Sequence, residues 1–140
     1  MDIRQLTPRY YVAPQIDPAE VPALAEAGIT LILCNRPDVE VPPSHRADAL
    51  RAAAAEAGIA FAEQPLTHQT MTPEVIAANR ALGAEQPGTV LAYCASGTRS
   101  TIAWALGQAG RMPAEEIISA ARAGGYDLEH LRDVLQNKIC

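Results

Sequence analysis

Six residues, Cys94-Ala95-Ser96-Gly97-Thr98-Arg99, carry the most direct chemistry in this sequence. A cysteine thiolate is an intrinsically strong nucleophile, and it forms where positive charge and N–H dipoles surround the sulfur. The residues between Cys94 and Arg99 are small. Gly97 can take backbone angles closed to other residues, while Ala95, Ser96 and Thr98 let successive N–H groups turn inward around an anion. Arg99 adds a planar guanidinium suited to an oxyanion or a persulfide. Ser100 can donate a hydrogen bond to the sulfur and steady it as a leaving group. Cys94, Arg99 and Ser100 are therefore expected to be catalytic, with Ala95, Ser96, Gly97 and Thr98 as the substrate-binding cradle.

Such a loop needs a rigid strand before it and a helix behind it. Residues 89–93 read as a buried strand that ends at Cys94, and a helix is expected over 100–109, closed by Gly110. The branched apolar run over 29–34 reads as a strand buried on both faces. Shorter strands are expected over 3–6, 10–13 and 59–63. Asp17, with Glu20 three positions on, opens a helix that stops at Gly28, although Pro22 sits awkwardly in its first turn. Further helices are expected over 47–57, from Thr72-Pro73-Glu74 toward Gln86-Pro87-Gly88, over 113–122 and over 128–136. Residues 35–44 and 64–71 read as loops. Strands alternating with helices imply one α/β domain over residues 1–140, with a central, mostly parallel sheet and helices on both faces. Open sheets of this kind place their sites at the carboxyl ends of strands, where Cys94 lies and where a helix N-terminus favours an anion.

Composition narrows the partners. The chain has 140 residues, 49% of them hydrophobic, and a formal net charge of -5. That balance argues against a nucleic-acid binder, which carries a basic face, and against a membrane-surface partner. No stretch is long and apolar enough to span a bilayer. The start, MDIRQLTPRY, lacks a basic segment followed by an apolar core, so a cytoplasmic location is expected. Cys34, Cys94 and Cys140 are odd in number and widely spaced, which disfavours a disulfide framework. Cys34 lies in an apolar run and reads as a buried, inert thiol; Cys140 reads as an incidental terminal thiol. His45, His68 and His130 are scattered, so no metal site is implied, and no organic cofactor either. Nothing in the sequence specifies an oligomeric state.

The stretch Tyr93-Cys94-Ala95-Ser96-Gly97-Thr98-Arg99-Ser100 resembles the loop of the phosphatase-like domain of beta-lactamase-hydrolase-like proteins. Leu33-Cys34-Asn35-Arg36-Pro37-Asp38 resembles a second characteristic stretch of that family, and the resemblance covers nearly the whole chain. It implies a protein-tyrosine-phosphatase-like fold and one of two activities ascribed to the family, phosphomonoester hydrolysis or sulfur transfer. Tyrosine and dual-specificity phosphatases place five residues between their cysteine and arginine, whereas four separate Cys94 from Arg99. The shorter loop resembles that of rhodaneses and better matches one transferred sulfur than a tetrahedral phosphoryl group. Tyr93 also stands where phosphatases usually carry a histidine.

A proton donor is the second discriminator. Phosphomonoester cleavage benefits from an acid that protonates the leaving oxygen, and phosphatases of this fold commonly supply an aspartate from a separate loop. Residues 64–71 include Thr67, His68, Gln69 and Thr70 but no acid. Asp38 is the best candidate acid, with a turn role after Pro37 as its alternative. His68 follows, as a substrate-binding group or a solvated loop residue, and Arg36 either attracts anions at the rim or pairs with a nearby acid. Sulfur transfer needs no acid: the thiolate takes the outer sulfur of a donor and an acceptor thiol removes it. The leading expectation is a sulfurtransferase that works on a small-molecule sulfur donor and a thiol acceptor. The alternatives are a phosphatase that acts on a phosphoester through a phosphocysteine, and a non-catalytic anion-binding or redox-sensing module.

Overall fold

The computed structural model describes residues 2–137, so Cys140 lies outside the described residues. Two apolar runs set the architecture. All four residues of β3 (Leu31–Cys34) and of β5 (Val90–Tyr93) are buried, because each strand has a neighbour on both edges and helices above and below. Around them run β1 (Arg4–Thr7), β2 (Tyr10–Ala13) and β4 (Ala60–Glu63), in the order β1-β2-β5-β3-β4. The pairs β2–β5, β5–β3 and β3–β4 are parallel, and only the β1–β2 hairpin is antiparallel. The fold is thus a single α/β domain with a mixed, mostly parallel sheet.

Alternation along the central strands divides the core in two. Leu31, Leu33, Val90 and Ala92 face one layer with Trp104, Ile117 and Ile118. Ile32, Cys34, Leu91 and Tyr93 face the other, with Leu24, Leu50 and Ile59. The first layer is built from α4 (Thr98–Gln108), α5 (Ala114–Ala123) and α6 (Arg132–Asn137), the second from α1 (Val21–Glu26) and α2 (Ala47–Ala57). The remaining helix, α3 (Pro73–Leu82), packs beside α4. Tyr10 stacks on Trp104 at 6.3 Å and closes the base of the first layer.

Several boundaries shift for local reasons. The helix expected to run on from Asp17 is split into a tight turn, Pro18–Glu20, and α1. Pro22 has no N–H to continue an unbroken helix, so it is tolerated only in a first turn. The capping pair still forms: Asp17 accepts from Ala19 N and Glu20 accepts from Asp17 N, both at 2.8 Å. The last helix likewise begins as a tight turn, Glu129–Leu131, before α6. The stretch 35–44 contains two further tight turns, Asp38–Glu40 and Pro43–His45. Finally, α4 begins at Thr98, two residues earlier than its expected start at Ser100, which places Arg99 in the helix's first turn.

Candidate active site

The loop that follows β5 is anchored on both sides by the strands flanking it. Cys94 N donates to Ala13 O at 3.3 Å, and Gln15 N donates to Ala95 O at 3.2 Å, extending the β2–β5 ladder past its last strand pair. On the other side Asn35 N donates to Tyr93 O at 2.9 Å. Strand alternation sends Tyr93 toward the α1–α2 layer and hence Cys94 toward the α4 side.

The chain then turns on Gly97, whose φ is 94°. A β-carbon there would overlap the hydroxyl of Tyr126, which donates to Ser96 O at 3.1 Å and covers the outside of the loop. Glycine is thus required twice, by the positive φ and by the close approach of Tyr126. The turn aims Gly97 N at the Cys94 sulfur, 3.2 Å away. This N–H belongs to the residue that caps α4, and first-turn N–H groups have no carbonyl to meet within their own helix. Ser96 Oγ accepts from Thr98 N at 3.4 Å and donates to Thr98 Oγ1 at 3.0 Å, while Thr101 Oγ1 donates to Gly97 O at 2.7 Å. Cys94 is fully buried, under this cradle.

Arg99 sits beside the sulfur, but its guanidinium is already occupied. Its Nη1 donates to Glu40 Oε2 at 2.8 Å and to Leu66 O at 2.8 Å, and its Nη2 donates to Glu40 Oε1 at 2.7 Å. The hydrogen bond from Arg99, followed by the Arg99 and Arg36 charges, holds the Glu40 carboxyl below the usual carboxylate range. The same pair raises Arg99, and the nearby Cys94 sulfur adds to that effect. Arg36 steadies Glu40 from behind, with Nε on Glu40 Oε1 at 3.3 Å, Nη2 on Glu40 O at 3.3 Å and Nη1 on Gln15 Oε1 at 3.2 Å.

A cleft opens over this arrangement, lined by Glu40, Thr67, His68, Gln69, Ala95, Ser96 and Arg99. Of the residues singled out from the sequence, His68, Ala95, Ser96 and Arg99 line it, with Cys94, Gly97 and Thr98 in the cradle beneath. Arg36 stands behind the wall, paired with an acid. Ser100 is fully buried and donates to Asn35 Oδ1 at 3.0 Å, not to the sulfur. Asp38 lies in the same tight turn as Glu40, but its Oδ1 accepts from Ala47 N at 2.8 Å and caps the start of α2. Cys34 is buried with its thiol on Arg36 O at 3.5 Å, and burial pushes that thiol up. Among the described residues no cluster of three or more His, Cys, Asp or Glu is placed to hold a metal ion.

Besides Thr67 and Gln69 on the cleft wall, Glu40 and Asn35 were not singled out from the sequence. Glu40 is the acid at the cleft; its one signal was its place four residues after Arg36 and beside Asp38. Asn35 is the other. Fully buried, it accepts from Ser100 and from Leu66 N, at 2.8 Å on its own carbonyl, and its amide donates to Gln64 O at 3.1 Å. It ties α4, β3 and the 64–71 loop together and thereby sets the Leu66 carbonyl that receives Arg99.

Residues 2–111 match the family described as "Beta-lactamase hydrolase-like protein, phosphatase-like domain". A beta-lactamase hydrolase-like protein of Xylella fastidiosa is 34% identical over 130 residues, which is 91% of this chain and 30% of that protein. The chain thus spans under a third of the length of that relative. Among solved structures, a proposed phosphatase from Neisseria meningitidis Z2491 is 34% identical, covers 98% of both chains and superposes with a TM-score of 0.85. P. aeruginosa TpbA, solved in complex with phosphotyrosine, shares the fold at 17% identity and a TM-score of 0.63, covering 97% of this chain and 91% of its own. The architecture is that of protein-tyrosine-phosphatase-like enzymes.

Proposed function

The chain belongs to the phosphatase-like domain family of beta-lactamase hydrolase-like proteins, and we propose that on this scaffold it acts as a cysteine-dependent sulfurtransferase in which Cys94 carries the sulfur as a persulfide. The observation that carries this reading is the state of the acids. Glu40, the one carboxyl at the cleft among the described residues, is held as a carboxylate by Arg99 and Arg36. Asp38 is committed to the Ala47 N–H. An alkoxide or phenolate leaving a phosphoryl group gains from a proton donor, whereas a departing thiolate or sulfite needs none.

The chemistry uses only the cradle. The Cys94 thiolate attacks the outer sulfur of a donor; the new Sγ–S bond forms as the donor's own S–S bond breaks and its remainder leaves with the electron pair. The Gly97 N–H, already 3.2 Å from the sulfur, and the Arg99 charge stabilise the anionic persulfide. An acceptor thiolate then takes the outer sulfur and restores Cys94. Four residues between Cys94 and Arg99 leave a cradle suited to one such atom.

Incubation with a persulfide or thiosulfate, followed by intact-mass measurement, should add one sulfur atom to the wild-type chain and none to Cys94→Ser. Absence of added sulfur in both would overturn this reading. Phosphomonoester hydrolysis through a phosphocysteine is the second reading, favoured by the Neisseria meningitidis relative and by phosphotyrosine in TpbA. His68 is then the remaining proton donor at the cleft. Robust aryl phosphate turnover, lost in Cys94→Ser, would establish it in place of sulfur transfer.

A further inference from the structure

The Arg99 fork is filled by the protein's own carboxylate. Both terminal nitrogens of Arg99 bond the two oxygens of Glu40, at 2.8 and 2.7 Å, in the parallel arrangement that guanidinium otherwise offers to a bound oxyanion. The Arg99 side chain is 11% exposed and that of Glu40 32%, so the pair is partly sheltered from water on the arginine side. Glu40 cannot drift away freely, because Arg36 holds both its carboxylate and its backbone carbonyl. The sulfur of Cys94 has no exposed surface of its own, so a donor reaches it past this rim.

Sulfur donors differ in what they demand of that rim. Thiosulfate brings a sulfonate whose oxygens, and the sulfite that departs, need a cationic fork. An organic persulfide presents a terminal sulfur and departs as a thiolate, with its bulk outside the cradle. Resting on the sulfur-transfer reading, we propose that Glu40 is a specificity-determining residue, an internal competitor for the Arg99 fork that turns the site away from oxyanion donors and toward organic persulfides. In the favoured step the Cys94 thiolate displaces RS⁻ from RSSH. The Cys94 Sγ–S bond forms, the RS–S bond breaks with its electron pair on the departing sulfur, and the proton carried on the transferred sulfur passes to the departing thiolate or to water, which leaves the anionic persulfide on Cys94. Nothing is oxidised or reduced overall.

The test pairs a binding measurement with a transfer measurement, on the whole chain and on Glu40→Gln, with Glu40→Ala as a second variant. Inorganic sulfate is titrated calorimetrically. Loading of Cys94 is timed by intact mass with thiosulfate and with glutathione persulfide. Removing the competing charge should tighten sulfate binding about tenfold and speed thiosulfate loading by a similar factor, the size expected for freeing one charge-assisted pair. The ratio of thiosulfate to persulfide loading rates should therefore rise by about tenfold, since a departing thiolate makes no use of the freed fork. Sulfate affinity that is unchanged or weaker in both variants overturns the role of Glu40, whatever the transfer assay gives. So does persulfide loading that rises in step with thiosulfate. Failure of the wild-type chain to take sulfur from either donor overturns the sulfur-transfer reading and the donor preference with it.

Discussion

At the scale of single residues, Gly97 and Glu40 shape the site as much as Cys94 does. The φ of 94° at Gly97 and the Tyr126 hydroxyl beside it leave no room for a side chain. Gly97→Ala is expected to destabilise the fold by about 2 kcal/mol through backbone strain and to slow sulfur loading on Cys94 by at least about tenfold, because the N–H aimed at the sulfur moves. Urea denaturation and timed mass spectra would check both. Glu40 carries a pH signature whose sign follows from its lowered carboxyl. A carboxyl with a depressed folded-state value adds stability above its unfolded value, about 4.3, and loses that contribution as pH falls through the folded value. The wild-type chain should therefore exceed Glu40→Gln in stability at neutral pH. The gap should narrow as pH falls below the unfolded value and through the folded one, as measured by urea midpoints from pH 7 downward. A gap that widens in acid would contradict the pairing.

At the scale of elements, the tight turn Asp38–Glu40 divides labour between two neighbouring acids. Asp38 faces back to cap α2 at the Ala47 N–H, and Glu40 faces forward to Arg99. Asp38→Ala should then destabilise the chain by about 1 kcal/mol, the usual effect of losing a helix cap. Sulfur loading should stay within about twofold of wild type, because no reacting atom depends on this carboxyl. If Asp38 were the general acid of a phosphatase, aryl phosphate turnover would instead fall by about a hundredfold or more, so one variant separates the two roles. The strand-to-helix turn was legible because glycine, small residues and a buried strand all sit within a short window. The pairing of the 35–44 segment with Arg99 was not. It joins residues 59 positions apart in sequence, and no local pattern states which acid of Asp38-Val39-Glu40 turns inward.

At the scale of the whole molecule, the two core layers meet through one sheet, and the site rests on the carboxyl ends of three adjacent parallel strands, β2, β5 and β3. Trp104, the single tryptophan, is buried in the layer beneath the cradle and stacked on Tyr10. One shared sheet implies one cooperative unit. The urea transition followed by Trp104 fluorescence should therefore coincide with that followed by far-ultraviolet circular dichroism. Two separated midpoints would mean that the α4–α5 layer unfolds independently of the α1–α2 layer.

What the amino-acid sequence determined by itself is what depends on near neighbours. Apolar runs specified β3 and β5, Gly58 ended α2, and the segment from Tyr93 to Ser100 marked the proposed nucleophile and its cradle within a recognisable family. What only the tertiary structure decided are the partners of charged and polar side chains. Ser100 meets Asn35 and not the sulfur, Asp38 serves a helix, and Glu40 fills the fork of Arg99. The physical reason is range. Periodicity and turn chemistry act over a few residues, whereas a guanidinium pairs with whichever carboxylate the packing of distant segments brings within hydrogen-bond reach.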